Sequence, residues 1–185
     1  AAERIVNAKM KVLMLAVVAP VLAQAGDTMY AHKVLKCALA AAKKIVDEQE
    51  EVEALAAVAV ALTQAGKAAF AQKILNYALS IAEGTATEWK RRDMLAVIAR
   101  TFAQVGSTEH ALTVVKRIED EWYKAHVLAE IAGALFQAGD ADNAWQMQVC
   151  ALNIAGSFKV RRKISMLATM AHILDEAGDA QHALE

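Results

Sequence analysis

His126 and Glu130 are four residues apart, and so are His172 and Glu176. On a helix that spacing puts an imidazole and a carboxylate on one face, where they could begin a metal site. Helical surface pairing explains both pairs without a metal, so neither a metal nor a cofactor is expected. Cys37 and Cys150 stand 113 positions apart, and neither sits in a zinc-type spacing. They share one place in an internal repeat, eleven residues after a glycine. That register points to packing along a helix, not to nucleophiles, and a reduced, cytoplasmic compartment is expected. The sequence contains no P-loop, no GxGxxG, no GxSxG and no HExxH. The expectation is therefore a protein that is not an enzyme. Two basic runs, Lys90-Arg91-Arg92 and Arg161-Arg162-Lys163, with Trp89 and Trp122 nearby, could make a ridge for RNA. Glu48, Glu50, Glu51 and Glu53 interrupt that ridge, and the two tryptophans share a register that suggests packing between repeats.

The elements that must position these residues are legible in the composition. Of 185 residues, 57% are hydrophobic, 5% are aromatic and one is proline; alanine alone supplies 42. This is too apolar for disorder and too poor in proline and glycine for an all-β protein. Twenty basic against 21 acidic residues, a net charge of −1, disfavour a general nucleic-acid binder. What remains is a soluble, almost wholly helical chain.

Five segments align on Gly26, Gly66, Gly106, Gly139 and Gly178, with spacings of 40, 40, 33 and 39. Eleven residues before each glycine stands a leucine, and ten before it an alanine. Position −8 holds Val18, Val58, Ile98, Ile131 or Met170, and position −7 is always alanine. Position −4 is Leu22, Leu62, Phe102, Leu135 or Leu174, and Ala31, Ala71, Ala111, Ala144 and Ala183 stand five after the glycine. The −11, −8, −7 and −4 set recurs at helical spacing and forms the buried stripe of a first helix, A. Glycine ends that helix in the left-handed conformation. Asp27, Ser107, Asp140 and Asp179 can then cap a second helix, B. A helical hairpin cannot bury its face alone, so hairpins must stack.

The 33-residue spacing predicts that helix B of the third repeat, about 108–119, is some two turns shorter than the others. Pro20, inside helix A of the first repeat, is read as tolerated. No apolar run is long enough to span a bilayer. The stretch from Met10 to Gly26 imitates a secretory signal but fits the repeat better. The fifth repeat stops at Glu185, seven residues past its glycine, and there is no initiator Met. A segment of a longer array is expected, with self-association through exposed repeat ends.

These residues resemble the tetratricopeptide repeat family. Gly139, Ala144 and Ala151 match its turn glycine and small helix B residues, as do Gly66, Ala71 and Ala78, and Gly26, Ala31 and Ala38. Leu128, Ile131, Ala132 and Leu135 match its first-helix pattern. The 39–40-residue length looks like the longer variants in sensor arms of STAND-type signalling ATPases. The resemblance implies an all-α, right-handed α-solenoid of about five stacked antiparallel hairpins in one domain, 1–185. The repeats would run over about 1–46, 47–84, 85–119, 120–156 and 157–185. It further implies a non-catalytic module whose concave groove binds a protein or peptide. The alternatives are a small-molecule effector-sensing arm of a larger ATPase or transcription regulator, and a self-associating scaffold. Groove-facing positions would be −13, −10, −9, −6 and −2, with the −10 alanines leaving room. The polar, variable residues among them are Arg100, His126, Glu130 and His172. A ladder at −2, of Gln24, Gln64, Gln104 and Gln137, could hydrogen-bond an extended backbone.

Overall fold

A computed structural model describes residues 2–176, with the side chains of residues 8–173 and of Asp175. Gly178, Asp179, Ala183 and the whole second helix of the fifth repeat lie outside the described residues. Within them the chain is all-α: nine helices and no strand. It divides into two compact units, 1–105 and 106–185. The first holds α1 (Ala2–Gln24), α2 (Thr28–Ala42), α3 (Glu48–Gln64), α4 (Ala68–Gly84) and α5 (Glu88–Gln104). The second holds α6 (Thr108–Val115), α7 (Glu121–Gln137), α8 (Ala141–Gly156) and α9 (Val160–Glu176). Among the described residues no helix is long and apolar enough to cross a membrane.

The glycines act as the sequence predicts. Gly26, Gly66, Gly106 and Gly139 have φ of 87°, 74°, 77° and 80°, a region costly for residues with a Cβ. At Gly66 the N–H donates to the Thr63 carbonyl at 2.9 Å, and the next N–H, of Lys67, reaches back to Leu62 at 2.8 Å. The same pair of bonds closes α1 at Gly26 and α7 at Gly139. This Schellman arrangement satisfies carbonyls that a helix end leaves orphaned. Asp27 and Asp140 cap the following helices through the N–H groups of Tyr30 and Asn143. Ser107 occupies the cap position of α6 but makes no side-chain cap bond. Two caps escaped the sequence reading: Asp47 accepts from the Gln49 and Glu50 N–H groups, and Asp120 from Tyr123. The short third helix B is real, since α6 has 8 residues where α4 has 17. Helix α1 runs unbroken through Pro20, whose side chain is buried.

In the first unit α1 packs on α2 and α3, and α3 on α4 and α5. Leu55, Val58, Ala59 and Leu62 of α3 are buried, and so are Ala71, Ile74, Leu75 and Ala78 of α4. Each fully buried leucine contributes ~1.5–3 kcal/mol. The second unit repeats the scheme with α7 on α8 and α9. There Leu128, Ile131, Ala132 and Leu135 are buried, with Ala144 and Ala151 of α8. The alanines let the helix axes approach, which is why so apolar a chain needs few large side chains.

Candidate functional site

The A helices lie side by side within each unit, so their N-terminal halves bring equivalent positions together. In the first unit this contact is closed by charge. Lys9 of α1 donates to Glu53 of α3 at 2.6 Å and stands 4.0 Å from Glu50. The Glu53 hydrogen bond raises the Lys9 amine above its ordinary value. Asp47, at the N-cap of α3, also receives Lys90 of α5 at 3.1 Å. The Glu50 N–H and then the Lys90 ammonium hold its carboxyl below the usual range. A shallow recess of about 460 Å³ remains among Lys9, Asp47, Gln49, Glu50 and Glu53.

The second unit is built differently. Two recesses follow one another along α7 and α9. The first, about 470 Å³, is lined by Asp120, Trp122, Arg161, Arg162 and Ser165. The second, about 400 Å³, is lined by His126, Glu130, Gly133, Ala134, Gln137, Thr169, His172 and Ile173. The Trp122 indole stacks on the His126 ring, with centroids 5.7 Å apart and planes 9° from parallel. His126 Nε2 faces Glu130 Oε1 at 3.5 Å. Spaced i, i+4, i+8, these three side chains run along one face of α7. Among the described residues His126 Nδ1 is buried with no hydrogen-bond partner. Gly133 is among the residues lining the second recess. A Cβ there would overlap Ile173 Cγ2, so a side chain at this position would force Ile173 to shift.

Four of the seven residues singled out from the sequence, His126, Glu130, Gln137 and His172, therefore meet in one recess. Arg100, Gln64 and Gln104 belong to the other unit, on α5, α3 and α5. Gln64, Gln104 and Gln137 are exposed, as is Gln24, and Arg100 is half-buried. Three details differ from expectation. The −10 alanines do not leave groove space: Ala56, Ala96 and Ala129 are buried. Trp89 is exposed, with the Lys90 ammonium 5.8 Å from its ring centroid, so it does not pack as Trp122 does. Cys37 is exposed and Cys150 half-buried, while Ala38 and Ala151 beside them are buried. One residue is about 100° of helix, enough to turn that register outward. The sequence reading missed Trp122 and Ile173 as recess walls. Thr169, at the same offset as Glu130, is polar where the earlier copies are apolar, and it lines the recess.

No protein-family model matches the chain, and no curated protein matches it. Among solved structures it is similar to the crystal structure of Ton1535 from Thermococcus onnurineus NA1. The TM-score is 0.51 and the identity 22%, over 90% of this chain and 48% of that one. The chain thus spans about half the length of that structure. The likeness concerns the all-α fold alone.

Proposed function

We propose that this chain is a non-catalytic binding module and that the recess between α7 and α9 holds a segment of a protein or peptide partner. The observation that carries this reading is convergence. His126, Glu130 and Gln137 from α7 and His172 from α9 line one recess beside Gly133, where a side chain would meet Ile173. Donors and acceptors of both kinds, over an apolar floor of Ala134 and Ile173, suit a backbone and short side chains. In finer architecture we propose tetratricopeptide-like hairpins in a right-handed α-solenoid. The support is the repeated register of caps, alanines and apolar stripe.

The recess volume of about 400 Å³ also falls within the range of small-molecule sites, roughly 300–1,000 Å³. That favours effector sensing as the second reading. Panning a random peptide library against the chain tests the first. Selected peptides should bind His126→Ala/Glu130→Ala at least tenfold more weakly, about 1.4 kcal/mol, and Arg100→Ala as well as the parent. Equal binding to the double variant would remove the recess as the site. Thermal stabilisation by a metabolite mixture, lost in the double variant, with no peptide selected, would replace the first reading by the second.

A further inference from the structure

Two contacts between A helices, α3 with α5 and α7 with α9, begin on the same pair of places. One is the capping aspartate nineteen residues before the glycine, Asp47 or Asp120. The other lies on the following A helix, sixteen before its glycine: Lys90 on α5 and Arg162 on α9. Between α3 and α5 the pair is shut, with Lys90 Nζ 3.1 Å from Asp47. Between α7 and α9 it stands apart. Asp120 and Arg162 line the recess of about 470 Å³ together with Trp122, Arg161 and Ser165. Among the described residues no ion pair joins that aspartate to either arginine. Asp120 is engaged elsewhere, capping α7 by accepting the Tyr123 N–H at 2.7 Å. One carboxylate and two guanidiniums leave the lining with a net charge of +1. This recess adjoins the one at His126 and Glu130. Trp122 belongs to the first and its indole lies flat on His126 of the second. On α9, Ser165 lines the first, and Thr169, about one turn on, lines the second.

We propose that the partner segment carries an acidic side chain, Asp or Glu, whose carboxylate seats on Arg161 and Arg162 while the same segment fills the recess at His126 and Glu130. This rests on the peptide-binding reading above and names the chemistry that the segment must have. Guanidinium forks hold carboxylates through paired hydrogen bonds, and the Ser165 hydroxyl adds a donor. A lining of net charge +1 is neutralised by one carboxylate. A phosphoryl group, at about −1.5 to −2, would leave excess negative charge beside Asp120. The first recess is as large as the second, so it admits a whole side chain, with its methylenes along the Trp122 indole. A bare chain terminus needs less room. Arg162 and His172 are ten residues apart on α9, about 15 Å of helix. The acidic residue therefore falls roughly four or five extended residues from the one at His172.

Peptides selected on the chain from a random library, and lost in His126→Ala/Glu130→Ala, are the probes. Each is made as selected, with its acidic side chain replaced by the amide, with an amidated C-terminus, and with phosphoserine in place of the acid. On the wild-type chain, calorimetry should show the side-chain amide binding roughly fivefold more weakly at low salt, and a smaller difference at high salt. Amidating the C-terminus should change nothing, and phosphoserine should not improve on the acid. Arg161→Gln/Arg162→Gln should weaken the acidic form by the same factor and leave the side-chain amide form unaffected. Asp120→Asn keeps a cap and removes the competing carboxylate, so it should tighten the acidic form. Selected peptides with no acidic residue at that distance overturn the proposal. So does a loss on amidating the C-terminus alone, a phosphoserine form that binds more tightly, or an arginine variant that weakens acid and amide forms equally. Those outcomes leave the recess at His126 and Glu130 in place. A library that yields no peptide lost in His126→Ala/Glu130→Ala removes both readings. Arg161 and Arg162 are exposed, and the comparison of acid with amide on the wild-type chain needs no variant to fold.

Discussion

The contacts of α1 with α3 and of α7 with α9 are built on one register and end differently. At −17 of the leading helix stands Lys9 in the first unit and Trp122 in the second. At −16 and −13 of the following helix stand Glu50 and Glu53 in one, Arg162 and Ser165 in the other. Both contacts carry a capping aspartate at −19, Asp47 and Asp120. Opposite charges pair across the first contact, beside a recess of about 460 Å³. The second puts an aromatic ring where the lysine was, and Arg162 and Ser165 where Glu50 and Glu53 were; its second recess lies at His126 and Glu130. Packing between A helices thus needs the apolar register. The polar positions beside it differ between the units, serving cohesion in the first and, on the proposed function, recognition in the second.

The strongest test of that contrast is Gly133→Ala. Overpacking against Ile173 should cost about 1–3 kcal/mol, partly offset by the better helix propensity of alanine, about 1 kcal/mol. Urea unfolding should show the net loss, and peptide binding in the recess should fall with it. Unchanged stability and binding would mean that the close approach at Gly133 is not required.

The two caps sharpen the comparison at smaller scale. Asp47→Ala removes a cap and the Lys90 partner, and should cost about 1–2 kcal/mol. Asp120→Ala removes a cap alone and should cost about 1 kcal/mol. Equal losses would show that the Lys90 pair contributes nothing. The Asp47 carboxyl is lowered in the folded state. Its contribution is therefore present above the unfolded aspartate value, about 3.9, and is lost as pH falls from there through the lowered value. The gap between wild type and Asp47→Ala should close in that acid window.

The smallest effect belongs to the pair of Lys9 and Glu53, both partly exposed. Glu53→Gln should cost about 0.2–1 kcal/mol, and less at high salt. The Lys9 amine is raised. Its stabilisation is present below the unfolded lysine value, about 10.4, and fades as pH rises through the folded value. A loss in Glu53→Gln that persists at high salt and beyond that alkaline window would show that packing, not charge, closes the first unit.

Much of the local structure could be read from spacing. Gly26, Gly66 and Gly139 terminate helices because no other residue is comfortable at φ near +80°, and the missing residues after Gly106 foretold the short α6. Asp47 and Asp120 stand at −19, outside the register that the turn glycines and apolar stripe define, so the repeat itself does not mark their capping role. The recess was half legible. Polar residues breaking an apolar repeat marked His126, Glu130 and His172. Nothing in a one-dimensional pattern said that Arg100 belongs to another unit, or that Trp122 would lie flat on His126.

The sequence by itself determined the helices, their ends and the stripe each one buries. Those depend on backbone conformation and on neighbours three and four residues away. Tertiary structure alone decided which polar residues meet. Lys9 finds Glu53 and Gly133 finds Ile173 across some forty residues of chain, because the distance between them is set by how closely alanine and glycine let two helices approach.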